Sequence, residues 1–348
     1  MGLGKALALK GLTLIIVLIS VLLFTVLIIG ASGLSDRILN SIMNEELRGI
    51  RQKLTTQIRD PEELNKAIER IRQDLVKAYG LDKPWYARIP NMILRIVTLD
   101  LGSAREVQTF TGSNKISDII IERIPNTILL MTSALIINFI LGLLIGPRVA
   151  LKHGTRIDRA TSLYSAISYA LPTWWLGMLM ILFFSFQLRI FPFGGMYSAP
   201  PHEDPFMRFL DLLWHVMLPL ITLVLALSGS WIYITRSIVL SVAQEDFVNV
   251  ARVKGLPEDL VRRRYIVRVA APPILTNIVL GLAGSIAGAI LTEIVFDWPG
   301  MGTLYYKAVM SVDESLILAL TYIFTLIYVL ARFILEILYV VLDPRVRL

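Results

Sequence analysis

The sequence predicts an all-α membrane protein with six transmembrane helices and a helical extracytoplasmic insertion between the first and second. Three observations carry that prediction. Of the 348 residues, 55% are hydrophobic and only 18% charged, and the mean hydropathy is +0.66, values far from those of a soluble chain of this length. Stretches without Asp, Glu, Lys or Arg cover residues 11–35, 124–147, 160–188, 212–235 and 269–292, and each exceeds the roughly 20 residues a helix needs to cross the hydrocarbon core. The polar stretch between the first two carries explicit helix signals.

Taken in order, the first span follows Lys5 and Lys10 and precedes 31-ASG. Its apolar run is too long for a cleavable leader, which points to a retained anchor. The outer stretch has a helix start at 60-DPEEL, with Asp60 as N-cap, Pro61 at N1 and two glutamates in the first turn. Leu64, Ile68, Ile71 and Leu75 follow at helical spacing, and Gly80 is the stop. Such a stretch reads either as a solvated connector or as a docking domain. Span two carries Gly142 and Gly146, and span five Gly281, Gly284 and Gly288, at spacings that let helices cross closely. Pro172 in span three and Pro219 in span four each break a backbone hydrogen bond, as a joint or as a static bend. The sixth span begins after Glu314 and continues past Arg332, whose i,i+4 neighbour Glu336 can offset its charge. The expected division is an N-terminal transmembrane helix over 1–35, an extracytoplasmic helical region over 36–123 and a five-helix core over 124–348.

Charge supplies the orientation. The short loops 148–159 and 236–268 are rich in Lys and Arg, as are the ends of the chain at Lys5, Lys10, Arg345 and Arg347. The loops 189–211 and 293–314 hold only Arg189, Arg208 and Lys307, which places both termini in the cytoplasm of a multi-pass plasma-membrane protein. The net charge of +7 then reflects topology rather than nucleic-acid binding. With no cysteine and only His153, His202 and His215, no metal site is expected. His215 has only Asp211 one turn away, which is too little for an intramembrane enzyme. The nearly charge-free spans and the lack of inverted repeats also count against a secondary transporter.

The loop 236–273 is the most informative segment. Phe247, Val250, Ala251 and Lys254 fall on one helical stripe, Gly255 suits a left-handed C′ position, and Pro257, Glu258 and Asp259 begin a second helix. Two short helices meeting at Gly255 make a wedge, with Phe247 and Leu256 as apolar pegs. A second candidate lies at the end of span five, where Glu293 is followed by Asp297 and Trp298. A carboxylate there either faces a path as pore or gate, or marks the membrane interface with Trp298 in the aromatic belt. Trp174 and Trp175 read as packing or belt residues.

The core 251-ARVKGL-256, with Pro272 and Pro273 downstream, resembles the EAA loop of ABC-transporter permeases of the dipeptide/oligopeptide importer family. The segments 81-LDKPWYAR-88, 100-DLGSA-104, 122-ERIPNTILL-130, 171-LPTWWLG-177, 293-EIVFDWPGMG-302 and 343-DPRVR-347 resemble that family in the same order. Asn249, Val250 and Ala251 stand where the wider pattern has Glu-Ala-Ala, so its glutamate has no counterpart here. The resemblance implies half of a translocation path, coupled through Phe247, Val250, Ala251, Lys254, Gly255 and Leu256 to an ATPase. It further implies two cytoplasmic ATPase subunits that bind ATP and Mg, a second homologous permease, and an extracytoplasmic binding protein. The chain has no G-x-x-x-x-G-K-[ST] loop of its own. Peptide is the implied cargo, with oligosaccharide or nickel carried by relatives of the same architecture.

Overall fold

The computed structural model describes residues 3–58 and 60–342, so Arg345, Arg347 and the segment 343-DPRVR-347 lie outside the described residues. Among the described residues the regular elements are all helices, joined by irregular loops of which 98–115 and 188–204 are the longest, and the only β pairing is an isolated bridge of Ser103 with Lys115. It divides into two compact units. One is formed by 12–117 with 308–325; the other comprises 118–307 with the described residues before 12 and after 325.

In the first unit, α1 (Leu3–Ala31) buries Leu18, Leu22 and Val26 and exposes much of its remaining apolar surface, as a helix facing lipid does. Next come α2 (Leu34–Gln57) and α3 (Pro61–Ala78), a hairpin whose start and stop are local chemistry. Asp60 accepts from the Glu62 N–H at 3.0 Å with Pro61 at N1. At the other end the Leu81 and Gly80 N–H groups close on Val76 and Lys77, with Gly80 left-handed at φ 65°. The stripe Leu64, Ile68, Ile71 and Leu75 is only half-buried. Tyr79 donates to Glu46 at 2.9 Å, and that bond, which needs the neutral phenol, holds the tyrosine above its ordinary pKa. Helix α4 (Trp85–Val97) lays Trp85 against Gly30. Asp313 accepts from the Arg105 N–H at 2.6 Å and caps the Leu316 N–H.

The second unit holds α5 (Ile116–Thr127), a π-helical turn over Ile128–Thr132 and α6 (Ser133–Ala150), which together form one span of 35 residues. Helix α7 (Arg156–Ala170) and α8 (Thr173–Met180), the latter extended by a π-helical stretch to Gln187, are bent from each other by 91°. The expected third span is thus a broken pair. Pro172 removes an N–H and forces Leu171 out of the helical region to ψ 120°. By contrast α9 (Pro205–Ala243) runs through Pro219 as one helix of 39 residues.

Beyond α9 come α10 (Asp246–Val253), α11 (Glu258–Leu260) with a π-helical stretch to Val267, and α12 (Arg268–Ser285). The charge-free run 269–292 is not one helix. Gly288 turns left-handed at φ 77° before α13 (Ile290–Val295), which leads to α14 (Met301–Met310) and α15 (Glu314–Leu342). Glu336 takes both Lys10 and Arg332 as ion partners, so the charge inside the last span is offset from two sides. The most extensive packing in this unit is α6 on α9. A Cβ at Gly142 would stand 3.0 Å from the Trp231 carbonyl, and one at Gly146 would stand 2.8 Å from Thr235 Cβ. That spacing serves intramolecular packing here, as does Gly281 against Phe139 and Trp231, whereas Gly284 meets nothing within 4 Å.

Candidate coupling turn and buried carboxylate

Two places gather the residues singled out by the sequence. The first is the turn at Gly255. There the Leu256 N–H bonds the Ala251 carbonyl at 3.3 Å and the Gly255 N–H bonds that of Arg252 at 2.9 Å, with Gly255 at φ 75°. This double closure ends α10 and points the chain straight into α11. Arg252 bridges the turn to Glu258 through two hydrogen bonds of 3.1 and 3.3 Å, pinning one short helix to the other. Beneath it Val248, Ala251, Val261 and Ile266 form a buried cluster with Ala150 and Val239 of the long helices. The wedge is therefore seated on α6 and α9.

The cluster decides which face of α10 looks outward. Phe247, Val250, Lys254 and Gly255 are exposed, and Val253 is 89% exposed. Ala251 is buried, so it packs against its own chain instead of lying open to an incoming backbone. Leu256 is half-buried against the same cluster. The inward stripe is thus Val248 and Ala251, and the outward one Phe247, Val250 and Lys254.

The second place is Glu293, which is 0% exposed. Thr127 donates to its Oε1 at 3.0 Å and the Thr303 N–H to its Oε2 at 2.9 Å, so the carboxylate caps the N-terminus of α14 from a distance. Thr127 also accepts from the Met301 N–H at 2.7 Å. Trp298, itself 0% exposed, donates its indole N–H to the Asn126 carbonyl at 2.9 Å, and the Asn126 amide donates to the Pro299 carbonyl at 2.8 Å. Cβ atoms at Gly288 or Gly300 would come to 2.5 Å from a Glu293 oxygen. Among the described residues no Lys or Arg pairs with Glu293. This is a knot between 122-ERIPNT-127 and 293-EIVFDWPGMG-302. Glu293 and Trp298 therefore line no open path, and Trp298 sits in no exposed aromatic belt. Of Glu293, Asp297 and Trp298, only Asp297, left-handed at φ 47°, is exposed.

Residues 138–348 match the family described as the binding-protein-dependent transport system inner membrane component. The chain belongs to this family. Its relatives include the oligopeptide transport system permease protein AppB of Bacillus subtilis (strain 168), 30% identical over 79% of this chain and 84% of that one. The di/tripeptide transport system permease protein DppB of Pseudomonas aeruginosa (strain UCBPP-PA14) is 30% identical over 77% and 82% of the two chains. The probable D,D-dipeptide transport system permease protein DdpB of Escherichia coli (strain K12) is 29% identical over 80% and 84%.

This binding-protein-dependent permease also buries polar pairs whose partners the sequence pattern does not supply or for which it gives no role. Asp158, buried at the start of α7, takes the Arg236 guanidinium, the Gly154 N–H at 2.9 Å and His153 Nδ1 at 3.1 Å. Arg236 is visible in the sequence only as the charge that ends span four, and nothing local names its partner 78 residues away. His215 rests on Asp211, whose oxygens also hold Ser198 at 2.7 and 2.8 Å, so the pair anchors the loop before α9 to that helix. Among the described residues no group of three or more His, Asp or Glu is arranged to hold a metal ion. Trp174 and Trp175 are about two-fifths exposed.

Proposed function

We propose that this permease forms half of the translocation path of an ATP-driven importer of peptides. A second, homologous permease supplies the other half, two cytoplasmic ATPase subunits bind ATP and Mg, and an extracytoplasmic binding protein delivers the cargo. Both termini are cytoplasmic, which puts the turn at Gly255 on the ATPase side. The observation that carries the reading is this turn: a doubly capped, Arg252-bridged wedge that exposes Phe247 and Val250 while its other face is bolted to α6 and α9. Exposed apolar pegs fit a groove on a soluble subunit, and the rigid seat carries motion of that subunit to the spans. Phe247, Val250, Lys254 and Gly255 make the contact. Ala251 and Leu256 transmit it through the buried cluster. Pro172 is the joint at which α7 and α8 change angle, Pro219 is a static member of α9, and the knot at Glu293 with Trp298 and Asp297 holds the outer end of the path. The peptide names of the relatives support the cargo.

The test is purification of the tagged chain in mild detergent with whatever it retains. Two ATPases and a second permease are expected, and a chain that comes out alone overturns the reading. Within that complex Gly255→Pro, which cannot adopt the left-handed turn, should abolish uptake while ATP hydrolysis continues. Normal uptake by this variant removes the coupling role.

A further inference from the structure

A cleft of about 460 Å³ opens between α7 and α9, lined by the hydroxyl residues Ser162, Ser165, Tyr169, Ser230 and Tyr233 together with the apolar Ala166 and Ile234. The lining follows helical spacing on both sides. Ser162, Ser165 and Tyr169 fall at i, i+3 and i+7 on α7, and Ser230 and Tyr233 at i and i+3 on α9. The floor is the point of closest approach, where a Cβ at Gly229 would meet Ser168 at 2.6 Å and Ser165 Cα at 2.9 Å. Neighbouring hydroxyls at this crossing are committed to holding it. Ser168 donates to the Ala226 carbonyl at 2.7 Å and Tyr164 pairs with Ser228. Ser165 is different. It is 4% exposed, it lines the cleft, and its Oγ has no hydrogen-bond partner.

A groove with five hydroxyl side chains between its apolar walls and an unpaired Oγ among them is costly against lipid, because nothing there completes those hydrogen bonds. Ser165 lies nine residues beyond Arg156, or ~14 Å along α7, about halfway through a hydrocarbon core of roughly 30 Å. No charged side chain lines the cleft. Its hydroxyls can each donate and accept, which matches the alternating N–H and C=O of a peptide main chain and discriminates little between side chains.

We infer that this cleft is a cargo contact of the translocation path, gripping the peptide main chain through Ser165, Tyr169 and Tyr233. The inference rests on the peptide reading above. It accounts for how one path can pass peptides of many compositions, with selection by side chain left to another subunit.

The test uses the whole importer in proteoliposomes, with a radiolabelled mixture of oligoalanines two to six residues long as probe. Tyr233→Phe and Ser165→Ala should each lower uptake per ATP hydrolysed about three- to tenfold, the effect of one neutral hydrogen bond. Basal ATPase and retention of the second permease should not change, and the loss should be the same for lysine-containing peptides of equal length. Tyr233 is half-exposed, so Tyr233→Phe keeps the test open if Ser165→Ala disturbs the crossing. Wild-type uptake matched by both variants overturns the inference and leaves the peptide reading standing. A wild-type importer that moves no oligoalanine overturns both. Loss of the second permease from the variants reassigns the cleft to the subunit interface, and so overturns the inference as well.

Discussion

At Glu293 one side chain answers to donors from two places. Thr127 and Thr303 hold its oxygens, and Gly288 and Gly300 leave no room for it to move. Glu293→Ala strands buried donors, each costing about 1–3 kcal/mol. It should therefore lower the detergent-solubilised melting temperature by several degrees, while Glu293→Gln, which keeps shape and one acceptor, should lower it less. Equal melting of Glu293→Ala and wild type in a fluorescence-detected thermal scan would contradict the knot. The capping residues belong to the same scale. Asp60→Ala removes an acceptor from an exposed helix start at a cost of about 1 kcal/mol. It should speed hydrogen exchange at the first turn of α3 without affecting the spans.

Between elements the decisive contacts are backbone against backbone. Where α6 meets α9, Gly146 stands with no room for a side chain, and Gly284 on α12 has open space around it. Gly146→Leu should force the two helices apart and abolish the monodisperse peak on size exclusion. Gly284→Leu should leave that peak in place. A well-folded Gly146→Leu would show that the crossing tolerates separation. The wedge obeys the same logic in reverse: it is rigid because Gly255, Arg252 and the cluster under Ala251 fix it together, and each of these contacts is short in sequence or seated on a long helix.

For the whole molecule the testable quantity is orientation. The chain has no native cysteine, so single cysteines report without background. Lys254→Cys should react with a membrane-impermeant maleimide only in inside-out vesicles, and Glu69→Cys only from the outside of intact cells. The opposite pattern would invert the proposed topology.

What the sequence determined by itself was everything set by short range or by solvent. Charge-free runs marked most of the spans because a membrane excludes charge, though they did not show that 160–188 is broken or that the run 269–292 turns at Gly288. Asp60, Pro61, Gly80 and Gly255 marked helix ends because capping involves residues within about five positions of one another. Six ordered motifs identified the family. Only the tertiary structure decided which stripe of α10 faces inward, since Val248 and Ala251 differ from Phe247 and Val250 only in what lies beneath them. It likewise decided that Pro172 breaks its helix while Pro219 does not. Above all it decided that Glu293 is enclosed, because its partner Thr127 lies 166 residues away, and a contact at that separation is made by packing rather than by any local pattern.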